Sequence, residues 1–166
     1  MKKYLFILIT LFVAGYLASK VQSSWGKVRV QSIKIPTQNG QWLVADLFKP
    51  VSANASNPSP LVIVVPGFQR SKETLSNISI ELSRRGIVTI AIDPYAQGLS
   101  SSSLSKRAAT KEGYGMFALV DYVYDTSILN YVDKDKIGVT GHSAGGLAAM
   151  RAAQHFGKLA KKNNTK

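Results

Sequence analysis

Apolar and polar positions divide the chain into one long hydrophobic run, two alternating segments, and three short apolar runs that are each followed by a stretch of helical period. The long run, YLFILITLFVAGYLA from Tyr4 to Ala18, is apolar on every side and predicts a helix without a polar face. In KVRVQSIKIP (27–36), Val28, Val30, Ile33 and Ile35 alternate with polar neighbours, apart from a slip in phase near Gln31. That pattern predicts a half-buried strand. Asn39-Gly40 is a strong hairpin signal, and QWLVADLFKP (41–50) predicts the antiparallel return strand. VSANASNPSP (51–60) has no period and predicts a surface loop.

The three short runs are LVIVVPG (61–67), IVTIAIDP (87–94) and DKIGVTGHS (135–143). They predict parallel strands buried on both faces. SKETLSNISIELSRRG (71–86) predicts a helix ended by Gly86, with Thr74, Leu75, Ile78, Ile80 and Leu82 on one face. YAQGLSSSSLSK (95–106) predicts a mobile Gly/Ser-rich loop. EGYGMFALVDYVYDTSILNYV (112–132) predicts a second helix, with Met116, Val120, Val123 and Tyr124 on a shared side, and Ala144 to about Lys161 predicts the last. A hairpin followed by alternating strands and helices is an α/β arrangement of about five strands and three helices, preceded by the apolar N-terminal helix.

At 166 residues the chain has room for one domain. It has no cysteine, which excludes disulfides, thiolate metal ligands and a Cys nucleophile. A net charge of +12 raises the question of anionic partners. The basic residues are scattered and no nucleic-acid motif is present, so nucleic-acid binding is not expected. Lys2 and Lys3 before the Tyr4–Ala18 run form the basic and apolar regions of an export signal, and Val21-Gln22-Ser23 offers a weak cleavage site. Fifteen residues fall short of the ~20 that span a bilayer, although tilt and bilayer thinning allow an uncleaved anchor. Residues 1–23 are therefore expected to be a signal peptide or an anchor that holds the chain to a membrane through residues 4–18. Residues 24–166 would then form an exported domain on the outer side.

Candidate chemistry concentrates at Gly141-His142-Ser143-Ala144-Gly145, between a predicted strand and a predicted helix. Gly-x-Ser-x-Gly alone is weak. It gains weight where a strand runs straight into a helix, because a nucleophile elbow demands that sharp, strained turn with small residues on either side. With this context the chain resembles the α/β-hydrolase family, and within it the dienelactone-hydrolase-like and cutinase-like serine esterases. The resemblance runs from about Lys27 onward and rests on GHSAGG, VVPGF, AIDPYAQGLS and VDKDKIGVTGHS. It implies a partial α/β-hydrolase fold, a small-molecule ester as substrate, and no cofactor or metal. It also implies Ser143 as the nucleophile and the backbone N–H groups of Phe68 and Ala144 as the oxyanion hole.

A serine needs a base to take its proton, and the resemblance implies an acid and a histidine that follow the nucleophile. No Asp or Glu follows Ser143, and the one histidine that does is His155, twelve residues on. On one helix that is roughly 18 Å away, beyond hydrogen-bond reach, so His155 is expected to be a packing or surface residue. His142 is the variable position of the elbow and is read as structural. Asp93 could be a displaced acid, but the resemblance implies that it is the family's loop-anchoring aspartate.

With about five strands, the elbow strand is expected at an exposed sheet edge. The resemblance therefore points to the N-terminal part of a longer hydrolase, truncated before its triad acid and histidine. The alternative is a catalytically inactive α/β-hydrolase-like binding protein at the membrane, and a third reading is a basic membrane-surface protein. Substrate identity and oligomeric state are not legible, and peptidase, lipase, thioesterase and small-ester chemistries all stay open.

Overall fold

In the computed structural model, residues 2–37, 40–102 and 113–164 are described. A five-stranded mixed sheet is built from β1 (Val28–Pro36), β2 (Trp42–Pro50), β3 (Ser59–Val65), β4 (Val88–Ile92) and β5 (Val132–Gly141), in the order β1-β2-β4-β3-β5. β1 and β2 form the expected antiparallel hairpin, with Pro36 opposite Trp42. Asn39 of its turn lies outside the described residues. β2 joins β4 antiparallel, while β3 runs parallel to both β4 and β5.

Among the described residues, four α-helices accompany the sheet: α1 (Lys2–Gln22), α2 (Ser76–Arg84), α3 (Met116–Asp125) and α4 (Ala144–Asn164). The two-residue period of the strands divides their side chains between two apolar clusters. Ile63, Ile90 and Ile92 face α3 and α4, where Met116, Leu119 and Ala152 meet them. Val64 and Ala91 point the other way, toward Val28, Phe48 and the partly buried Leu75, Ile80 and Leu82 of the α2 segment. Each fully buried aliphatic chain of this kind contributes about 1.5–3 kcal/mol.

Three expectations need correction. The stretch after Ser71 opens with a 3-10 turn, Lys72–Leu75, and α2 presents Ser79 and Ser83 as its fully buried residues, while Ile78 is exposed. Small side chains let the helix approach the sheet closely. Ser83 donates to Phe48 O and meets Thr89 Oγ1 at 3.2 Å, so its hydroxyl is satisfied inside. The second predicted helix is shorter than 112–132: α3 ends at Asp125 because Thr126 turns to an extended backbone (ψ 140°), and Tyr124 is exposed. β5 is only partly buried, since it pairs with β3 on one side and stands at the sheet edge.

The described start of the Gly/Ser-rich loop is pinned down. Ser100 Oγ accepts Val44 N–H and donates to Asp93 O, and Ser101 Oγ accepts Trp42 N–H. The rest of the predicted loop, through Lys106, lies outside the described residues.

Candidate active site

β5 ends at Gly141 and α4 begins at Ala144, so only His142 and Ser143 separate strand from helix. A chain reversed in so few residues needs an unusual backbone, and Ser143 carries it, with φ +54°. Left-handed backbone costs a residue with a Cβ about 1–2 kcal/mol. The turn is closed by Gly145 N–H donating to His142 O (2.9 Å) and Leu147 N–H donating to Ser143 O (3.1 Å). His142 N–H donates across to Val65 O at the end of β3 (3.2 Å). Glycine is required on both sides: a Cβ on Gly141 would stand 2.4 Å from Gly145 C, and one on Gly145 would stand 2.1 Å from Val65 O. The result is an exposed Ser143 on a tight, rigid corner.

The second half of the site follows β3. Gly67 to Arg70 is a tight turn in which Arg70 N–H donates to Gly67 O and Gln69 holds φ +56°. A Cβ on Gly67 would lie 3.4 Å from Ser143 Cβ and 3.3 Å from His142 Nδ1, so this turn and the elbow touch. Among the described residues, no carbonyl or side chain accepts the backbone N–H of Phe68 or of Ala144. Ala144 is the first residue of α4, where the helix dipole is positive. The Phe68 ring is exposed beside the turn.

A buried carboxylate holds this turn in place. Asp93, 1% exposed at the end of β4, accepts the backbone N–H of Lys72 (2.7 Å) and of Leu99 (2.9 Å). Gly98 closes over it at φ +53°, where a Cβ would fall 2.2 Å from the carboxyl carbon. Gln97 Oε1 accepts Arg70 N–H at 3.0 Å, which ties the turn after β3 to the loop after β4. The Lys72 ammonium, 6% exposed, lies 3.8 Å from both Asp93 and Asp46 and 2.5 Å from Glu73. Its bond to Lys72 draws the Glu73 carboxyl down to about 2, whereas burial pushes that of Asp46 up. Asp93 is therefore a loop anchor, as the resemblance implies. Sequence reasoning missed Gln97 and the buried Lys72, since a lysine or glutamine in a polar loop carries no local mark of burial.

A family model described as PET hydrolase-like matches residues 15–163. The chain belongs to the PET hydrolase-like family of α/β-hydrolases. Its fold is similar to that of Est1E from Butyrivibrio proteoclasticus with ferulic acid bound: 27% identity, TM-score 0.64, 76% of this chain and 48% of that one. An esterase from Pyrococcus furiosus is 22% identical, with TM-score 0.62 over 80% of this chain and 46% of that one. Acetyl xylan esterase 1 from Thermoanaerobacterium sp. is 19% identical, with TM-score 0.59 over 76% and 44%. The chain thus spans less than half the length of these solved relatives. A search of curated proteins returns no match.

In this PET hydrolase-like chain the two histidines do different things. His142 sits with Nδ1 against Gly67. The His155 ring is engaged elsewhere, stacked on Phe117 with centroids 4.6 Å apart and edge-on to Phe156 at 4.9 Å. Among the described residues, neither histidine is hydrogen-bonded to Ser143.

Proposed function

We propose that this chain carries the nucleophile and oxyanion portion of a serine hydrolase that transfers the acyl group of a carboxylic ester to water. The observation that carries this reading is Ser143 at φ +54° on a tight corner beside two backbone N–H groups without acceptors among the described residues, those of Phe68 and Ala144. Family membership and the esterases among its structural relatives support it. Ser143 Oγ adds to the ester carbonyl carbon as its proton leaves to a base, and the carbonyl π pair moves onto oxygen. The two N–H groups face that oxyanion, and one such donor is worth about 3–4 kcal/mol in the transition state. The pair returns, the C–O bond to the alcohol breaks, and the alcohol takes the proton. Water then repeats the cycle on the acyl-serine and releases the acid.

Among the described residues no base is hydrogen-bonded to Ser143, and His155 is held in the Phe117 stack, so this reading requires a base and an acid partner other than His155. A second reading, a binding protein at the membrane that uses the same corner without catalysis, is favoured by that same engagement of His155. A fluorophosphonate probe on the natively produced protein separates the two. Labelling at Ser143, lost in Ser143→Ala, establishes the hydrolase. An intact, folded protein that stays unlabelled overturns the hydrolase reading and leaves the binding one.

Residues 1–23 are proposed as an export signal or membrane anchor. In α1 the stretch Lys2–Val21 has mean hydropathy 1.9 and is not buried against the described part of the domain, so its apolar side chains are exposed. Intact-mass measurement decides the form: a loss of about 2.5 kDa marks cleavage near Ser23.

A further inference from the structure

We propose that the end of the domain joined to α1 rests on an anionic membrane leaflet, with Trp25 at headgroup level, so that the Ser143 elbow is held on the pole facing away from the bilayer. This rests on α1 being a retained anchor. The joint between α1 and β1 is a fixed turn. Ser24, Trp25 and Gly26 are successive left-handed residues (φ +49°, +58° and +83°). Trp25 N–H donates to Lys20 O (2.7 Å) and Val28 N–H to Ser23 O (3.1 Å). The turn displays the Trp25 ring at 66% exposure immediately beyond α1. A rigidly presented indole at the end of an apolar helix is suited to the membrane interface, where its ring is partly desolvated and its N–H stays wet.

The neighbouring surface is basic. Arg84, at the end of α2, donates to Val21 O, and Arg85 beside it is exposed. Lys20 sits over the Tyr16 ring, and Lys27 is exposed. Glu81 is shared by Arg84 and Arg85. Val51, whose N–H donates to Lys27 O, adds exposed apolar surface. Cations beside an anchor point are drawn to an anionic leaflet by about 1 kcal/mol each.

The strand register decides which pole this is. Val28 pairs with Pro50, and β4 starts just after the Arg84–Arg85 corner with Val88 opposite Leu61. The elbow contacts Val65, at the other end of β3, roughly 13 Å further along the strand. Substrate therefore reaches Ser143 from the aqueous side, and the lipids of the supporting membrane are not presented to it.

The test uses the full chain in vesicles of phosphatidylcholine with phosphatidylserine, in a Trp42→Phe background that leaves Trp25 as the one tryptophan. Lipids brominated near the glycerol end of their chains should quench Trp25. Lys27→Gln and Arg85→Gln should each lower the docked-to-free ratio about fivefold. A dye on Leu147→Cys, near the elbow in a chain with no other cysteine, should stay unquenched. If the chain survives an alkaline carbonate wash but Trp25 is unquenched, or the Leu147 dye is quenched equally, the proposal is overturned and the anchor stands. If the wash strips the chain from the vesicles, the anchor and the proposal fall together.

Discussion

Gly145, in the first turn of α4, lies so close to Val65 at the end of β3 that a Cβ on it would stand 2.1 Å from the Val65 carbonyl oxygen. Backbone meets backbone there, so neither side can yield by changing a rotamer. Gly145→Ala is expected to destabilise the domain by about 3 kcal/mol or more, beyond ordinary overpacking. Gly157→Ala is the contrast. It lies in the same helix with nothing within 4 Å of its Cβ position, and should stabilise by about 0.5–1 kcal/mol. Urea unfolding of the two variants checks the pair, and equal behaviour would refute the close approach.

Ser143 holds its left-handed backbone at a cost that glycine would not carry. Ser143→Gly should therefore raise stability by about 1 kcal/mol and abolish fluorophosphonate labelling, whereas Ser143→Ala abolishes labelling without that gain. Thermal unfolding of both variants separates strain from the loss of the hydroxyl.

Asp93 accepts two backbone N–H groups and faces a buried ammonium. In Asp93→Asn an amide N–H replaces one acceptor, and Lys72 loses a countercharge. A loss of about 2–4 kcal/mol is expected. If Asp93 were instead a triad acid, the variant would keep its stability and lose only Ser143 reactivity, and unfolding beside labelling tells the two apart.

Glu73 is drawn from 4.5 to about 2 by its bond to Lys72. A carboxyl depressed in the folded state supports folding above its unfolded pKa and loses that support as pH falls toward the folded value. Stability should therefore decline between about pH 4.5 and 2, with Asp46, raised mainly by burial, working in the opposite direction. Glu73 is mostly exposed, so solvent screens the effect. Urea midpoints across that range should fall less steeply in Glu73→Gln, and an unchanged slope would show that the pair does not matter.

The sequence by itself determined the order of strands and helices along the chain, though not all their bounds, together with the α/β class and the position of the Gly141–Gly145 corner. Each of these is written in a local period or a local demand for small residues. It also kept His155 away from Ser143, because helical rise alone separates them, while the anchor role of Asp93 came from the family resemblance. Only the tertiary structure decided that Ser79 and Ser83 are buried beside Ile80 and Leu82 against the sheet while Ile78 faces outward, since a close helix-to-sheet approach favours small side chains. It alone brought Gln97 to Arg70, buried Lys72 among carboxylates, and set Gly67 against Ser143. Those contacts join residues many positions apart, and nothing in either partner's immediate neighbours encodes the other.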